Sequence, residues 1–216
     1  MNTLKYFIDI FLHLDKHLGE IVNTYGPSTY WILALVIFCE TGLVVTPFLP
    51  GDSLLFAAGA ITAATSLNVF FLAGILTIAA IIGDAVNYQI GKAIGKKIYL
   101  KKDTWYFKQE YLHKTERFYE KYGGKTIIIA RFVPIVRTFA PFLAGVGQMR
   151  YRYFATYNII GAILWVNSLT FAGYYFGALP IVKNNFGLVV LAIIVISVLP
   201  AIIEIINAKR QSLKAE

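Results

Sequence analysis

Apolar residues along this chain gather into runs that differ in length and in what interrupts them. Residues 1–26 alternate apolar and polar positions at helical spacing. Leu4, Phe7, Ile8, Phe11, Leu14, Leu18 and Ile21 fall near one face, while Asp9, Lys16, His17 and Glu20 fall largely elsewhere. This pattern predicts an amphipathic helix lying in a membrane interface. Gly26-Pro27-Ser28 is expected to break it. Tyr30 to Val45 is apolar apart from Glu40 and Thr41, yet falls short of the about 20 residues a crossing helix needs. Leu54 to Ala64 is shorter still. Between these arms stands Thr46-Pro47-Phe48-Leu49-Pro50-Gly51-Asp52-Ser53. Two short arms around a prolyl turn over 30–65 predict a re-entrant helical hairpin, with one broken helix as the other reading.

Residues 67–91 are long enough to cross. They carry Gly74, Gly83, Asp84, Asn87, Tyr88 and Gly91. Small residues let helices approach, and polar ones hydrogen-bond between them, so Asp84, Asn87 and Tyr88 are secondary site candidates. For Asp84 the plain expectation is a wet position near the end of the span. Residues 92–125 are polar and hold ten of the 20 Lys and Arg residues. Tyr106 to Tyr122 can form a basic helix with Phe107, Tyr111, Phe118 and Tyr122 toward a membrane surface. The charge excess places this segment in the cytoplasm. Residues 126–149 are again too short and too broken for two spans. Arg131-Phe132-Val133-Pro134-Ile135-Val136-Arg137 runs on to Pro141 and Gly145, predicting a second re-entrant hairpin. Residues 153–177 and 186–207 read as spans, and Lys209, Arg210 and Lys214 leave the C-terminus inside.

Composition sharpens the class. The 216 residues are 57% hydrophobic and 15% charged, against roughly 45–50% and 25% for soluble domains. The chain is read as one all-α integral membrane domain. The net charge of +8 would suggest nucleic acid in a soluble protein. Here the cations sit in loops, so no nucleic-acid partner is expected. The single cysteine, Cys39, excludes a disulfide within one chain and reads as a small core residue. No compact apolar stretch ending in a cleavage site opens the chain, so no cleavable signal peptide is expected. His13 and His17 have metal-ligand spacing, but no third ligand accompanies them. A surface pair is the reading, and no metal or cofactor is expected.

Hairpin, small-residue turn and Gly/Tyr-bearing span occur twice in order. Pro47 to Gly59 precedes a span ending Asn87-Tyr88-Gln89-Ile90-Gly91, and Pro134 to Gly147 precedes one ending Gly173-Tyr174-Tyr175-Phe176-Gly177. The first span must run inward to reach the basic segment, so the hairpins enter from opposite sides. That is the inverted repeat of secondary transporters, with the site where broken segments meet. Glu40 and Asp52 flank the first turn; Arg131 and Arg137 flank the second. Two readings stay open. One is a static ion-pair network holding the hairpins together. In the other, the arginine forks hold a phosphate head group whose tail stays in lipid. Burial disfavours charge on a carboxylate and a nearby arginine favours it, so Glu40 and Asp52 can exchange protons as their partners change.

At these residues the chain resembles a known family. Phe38-Cys39-Glu40-Thr41-Gly42, Pro47-Phe48-Leu49-Pro50-Gly51-Asp52, Gly83-Asp84-Ala85-Val86-Asn87-Tyr88, Ala130-Arg131-Phe132-Val133-Pro134, Val136-Arg137-Thr138 and Pro141-Phe142-Leu143-Ala144-Gly145 are similar to the DedA family of bacterial inner-membrane proteins. The similarity runs over nearly the whole chain. The resemblance implies a domain shared with eukaryotic lipid scramblases. It implies translocation of undecaprenyl phosphate or a phospholipid, dependence on the proton motive force, and links to envelope stress and drug resistance. The family's required acidic pair falls on Glu40 and Asp52, and its required arginines on Arg131 and Arg137. Pro47, Pro50, Gly51, Pro134, Pro141 and Gly145 are expected to support the hairpin turns. The leading expectation is a proton-coupled flippase of a lipid phosphate, with phospholipid as the runner-up cargo. A proton or cation antiporter is a different class. No catalytic triad, metal cluster or P-loop stands out, so an enzyme is not expected. Oligomeric state stays open.

Overall fold

The computed structural model describes residues 14–43, 51–99, 123–193 and 195. Among these residues every regular element is a helix. Thr46 to Pro50 of the first prolyl stretch, most of the basic segment and the C-terminal end lie outside the described residues, as does His13.

Helix α1 (Leu14–Tyr25) leads through one 3₁₀ turn (Gly26–Ser28) into α2 (Thr29–Gly42). The expected break at Gly26-Pro27-Ser28 is therefore only a tightened turn. Pro27 sits at its start, where a missing N–H costs nothing, and Gly26 takes the positive φ of 52°. The joined run Leu18–Gly42 is 25 residues long and apolar enough to cross a membrane. Leu18 and Val22 are buried, so the apolar face of α1 is turned into the protein. Two further helices are long and apolar enough to cross: Val69–Gly95 within α4 (Val69–Tyr99), and α7 (Tyr151–Phe176). The short apolar helix α3 (Gly51–Thr62) lies between α2 and α4, and the six-residue α5 (Lys125–Ala130) and α6 (Pro134–Val146) lie between α4 and α7. Helix α8 (Pro180–Asn184) follows α7, and residues 186–193 are helical. Trp31, Leu35, Phe70, Ile78, Ile82, Ile163 and Leu164 are exposed. In water such a surface would be an interaction liability; in hydrocarbon it is an ordinary helix exterior.

The chain divides into two compact units. The first comprises residues up to Leu33, Pro50–Ile75 and Val166 onward. Helix α1 packs on α3 in this unit. The Tyr30 hydroxyl accepts the Asn68 N–H at 2.6 Å, and Asn68 Oδ1 takes the Phe70 and Phe71 amides at the start of α4. Helix α3 also meets the end of α7 with almost no side chain between them. Gly59 lies against the Thr170 carbonyl and Gly173 against that of Phe56.

The second unit comprises Ala34–Leu49 and Leu76–Trp165. Helices α5 and α6 pack on each other across the turn at Arg131–Val133. Pro134 opens α6, where it suits the first helical position. Pro141 and Gly145 lie inside α6. They are not turn residues, and Gly51 likewise begins a helix. Gly145 instead brings α6 onto the α4 backbone at Tyr88, and Gly91 faces the Phe142 carbonyl. Tyr88, Ile127, Ala130, Ala140, Ala144 and Phe154 form the buried core here.

Candidate functional site

Helix α4 carries Asp84, Asn87 and Tyr88, which share a face because residues three and four apart are neighbours on a helix. All three are buried. Asp84 stands near the middle of Val69–Tyr99, not at the wet end of a span. The end of α2 comes close to this face because Gly42 and Gly83 meet backbone to backbone. A side chain on Gly83 would strike the Thr41 hydroxyl and the Phe38 carbonyl. That approach delivers Glu40 and Thr41 to α4. From the other side, Gly161 of α7 lets Arg131 lie directly against that helix: a Cβ there would come within 3.0 Å of Arg131 Cδ and 3.2 Å of Nε.

Two buried ion pairs result. Arg137 Nη2 donates to Glu40 Oε1. Arg131 Nη2 donates to Asp84 Oδ2 and to Asn158 Oδ1. The side chains of both pairs are no more than 6% exposed. Asn158 is held in turn by its own Nδ2, which donates to the Ile81 carbonyl at 3.1 Å. Asn87 Nδ2 donates to the carbonyls of Thr41 at 3.1 Å and Thr138 at 2.9 Å. One amide thus joins the two segments that carry Glu40 and Arg137. The Trp165 ring, 1% exposed, lies 4.9 Å from the Arg137 guanidinium and 5.8 Å from that of Arg131. Both contacts are within cation–π range.

Glu40, Arg131 and Arg137 therefore fall in one unit, with Asp84 as Arg131's carboxylate. Asp52 is buried in the first turn of α3 and belongs to the other unit. Tyr88 is a core residue rather than part of the polar cluster. Its hydroxyl donates to the Met149 carbonyl, and its ring stacks on Phe154 at 4.4 Å. Asn158 and Trp165 were not legible as site residues. The available signal was an amide within an apolar span, since polar groups at that depth face the protein interior.

Chemically, the cluster is two permanent cations, each met by a carboxylate, with a shared aromatic face. Its formal charge is zero when all four groups are ionised. Each guanidinium is a planar fork of donors that would take phosphate oxygens in the geometry now used for carboxylate. An anion could exchange with a carboxylate if that carboxylate took up a proton.

Comparison with known proteins matches residues 49–175 to the VTT domain. The whole chain aligns with Protein DedA of Escherichia coli K12 at 56% identity, covering 99% of that protein. It is 43% identical to an uncharacterized membrane protein of Mycobacterium tuberculosis H37Rv, over 84% of this chain and 80% of the relative. Inner membrane protein YghB of Escherichia coli K12 is 30% identical over 79% of this chain and 75% of its own length. No solved structure matches.

Proposed function

The chain belongs to the DedA family and carries a VTT domain, and from that premise we propose that this membrane protein is a proton-coupled flippase of an anionic lipid phosphate. Undecaprenyl phosphate returning to the cytoplasmic face is the favoured cargo. The observation that carries the reading is the pair of buried arginines, each paired with a buried carboxylate. A charge buried in a membrane protein is costly and marks function. Two cations able to exchange carboxylate for phosphate suit a head group whose tail remains in lipid.

In this mechanism Arg131 and Arg137 receive the phosphate. Glu40 and Asp84 hold the arginines in its absence, and Glu40 with Asp52 carries protons. Proton uptake by a carboxylate frees its arginine for the lipid; proton release restores the ion pair and expels the anion. We place the site within an inverted repeat of two re-entrant hairpins. The support is a packing motif that occurs in both units. Gly59 against Thr170 and Gly173 against Phe56 in the first correspond to Gly145 against Tyr88 and Gly91 against Phe142 in the second. Each hairpin helix packs on the end of the long helix that follows the other hairpin. The bacterial inner membrane is the proposed location, in line with the name of the relative YghB, with residues 92–125 cytoplasmic.

The test is flip of a short-chain polyprenyl phosphate in proteoliposomes under an imposed pH gradient. Transport is expected in the wild type and is expected to be lost in Arg137→Ala and Glu40→Gln. Full transport by Arg131→Ala would remove the arginine pair from the mechanism. Phosphatidylethanolamine flip in the same vesicles identifies the alternative cargo. Proton or cation exchange without lipid movement identifies an antiporter.

A further inference from the structure

Polar atoms without a hydrogen-bond partner among the described residues include Asn87 Oδ1 and Arg131 Nε. Both residues are at least nine-tenths buried, at 0% and 3% exposed. Leaving such atoms unpaired is costly, so each calls for a partner. The two are of opposite sense. Arg131 Nε can only donate. Asn87 can only accept here, because its Nδ2 already serves two carbonyls, and reversing the amide would set oxygen against oxygen. Asn87 lies one helical turn from Asp84 on the same face of α4, and Asp84 holds the Arg131 guanidinium, so Arg131 is anchored one turn from Asn87.

We propose that this site selects a singly protonated phosphomonoester, whose P–OH donates to Asn87 Oδ1 and whose anionic oxygen accepts from Arg131 Nε. The inference rests on the phosphate reading above and goes further by naming the protonation state of the head group and the two atoms that read it. A phosphodiester bears acceptors only. A monoester, with a second ionisation near pH ~6, carries a proton it can donate. The ionisable and charged groups facing the site are Glu40 from α2, Asp84 from α4, Arg131 from the turn and Arg137 from α6; the nearby Tyr88 hydroxyl is turned to the Met149 carbonyl. Helix α7 adds Asn158 and Trp165, neither of which titrates. With one carboxylate protonated, as the exchange requires, the two guanidiniums and the other carboxylate leave one net positive charge, which a monoanion neutralises and a dianion exceeds by one. The protonated form is favoured on that ground as well.

The experiment compares farnesyl phosphate with its methyl diester, binding to the intact protein in nanodiscs at pH 6 and pH 8. The monoester is expected to bind about tenfold more tightly at pH 6, the worth of one net hydrogen bond. The advantage shrinks at pH 8 as the ligand loses its proton. The diester does not titrate in this range, so the ratio cancels ionisation of the protein. This comparison needs no variant and is immune to misfolding. Asn87→Leu also removes the bonds to Thr41 and Thr138, so the readout is the ratio: the monoester's advantage over the diester at pH 6 is expected to vanish, whatever common weakening both esters show. Equal binding of both esters to the wild type would overturn the inference and leave the phosphate reading standing. Equal weakening of both esters by Asn87→Leu would assign Asn87 a structural role and overturn it too. So would a phosphoethanolamine diester that binds as the monoester does with the same Asn87 dependence, its ammonium being the donor. Failure of both esters to bind would overturn the phosphate reading and this inference together.

Discussion

Arg131 and Arg137 are the same side chain in different company. Arg131 has a carboxylate and an amide on one nitrogen, while Arg137 has its carboxylate and sits nearer the Trp165 ring. Neither cation can lose its proton to escape burial, so each depends on its anion. Asp84→Leu is therefore expected to cost about 3–5 kcal/mol, the usual consequence of stranding one member of a buried pair. Replacing the partner as well, in Asp84→Leu with Arg131→Met, should recover most of it. Chemical denaturation in a defined detergent measures both; a double variant no better than the single would show that the pair is not the unit. Trp165 allows a cleaner separation. Its face stabilises a guanidinium by about 1–2 kcal/mol when desolvated and uses none of the donors that an anion needs. Trp165→Phe should keep phosphate affinity within about threefold, whereas Trp165→Leu should weaken it by about tenfold. Equal affinity in the two variants would reduce Trp165 to a space-filler.

At the scale of elements, the governing contacts are glycines. In Gly59, Gly145, Gly91 and Gly173 a Cβ would fall on a backbone atom of the facing helix, where no rotamer change relieves it. Gly59→Ala and Gly145→Ala are each expected to lower stability by about 1–3 kcal/mol, the range for overpacking. Gly74 is the internal control. A Cβ there meets nothing within 4 Å, so Gly74→Ala should be neutral or stabilise by up to about 1 kcal/mol through helix propensity. Thermal unfolding of the three variants side by side decides it. These glycines also explain which parts of the fold were legible. Short apolar helices after each prolyl stretch follow from run length, and Glu40, Arg131 and Arg137 stand out as charges in apolar sequence. The partner of each short helix does not follow. Chain order pairs α3 with α4, yet α3 meets the end of α7, and α6 meets the end of α4. Only the touching glycines record this, and the residues between them are free to differ. Asp84 was misplaced for a related reason. Hydropathy ends the span near Ile90, but the helix continues to Tyr99, which moves Asp84 from the edge to the middle.

At the scale of the molecule, the proposal requires the two short-helix units to face opposite sides of the bilayer. The outward apolar residues are neutral on this point, since they suit hydrocarbon in either orientation. Hydrophilic ends can decide it. Ser66 lies in the exposed link between α3 and α4, and Arg150 in the exposed link between α6 and α7. If the hairpins enter from opposite faces, these links emerge on opposite faces too, with Arg150 on the cation-rich inner side. The chain has one cysteine, Cys39, so Cys39→Ala supplies a background without thiols. In that background Ser66→Cys should react with a membrane-impermeant maleimide added to intact cells. Arg150→Cys should react only after the inner membrane is permeabilised. Labelling of both in intact cells, or of neither, would put the two links on one side. That result would end the inverted repeat, while leaving the buried arginine pairs of the second unit untouched.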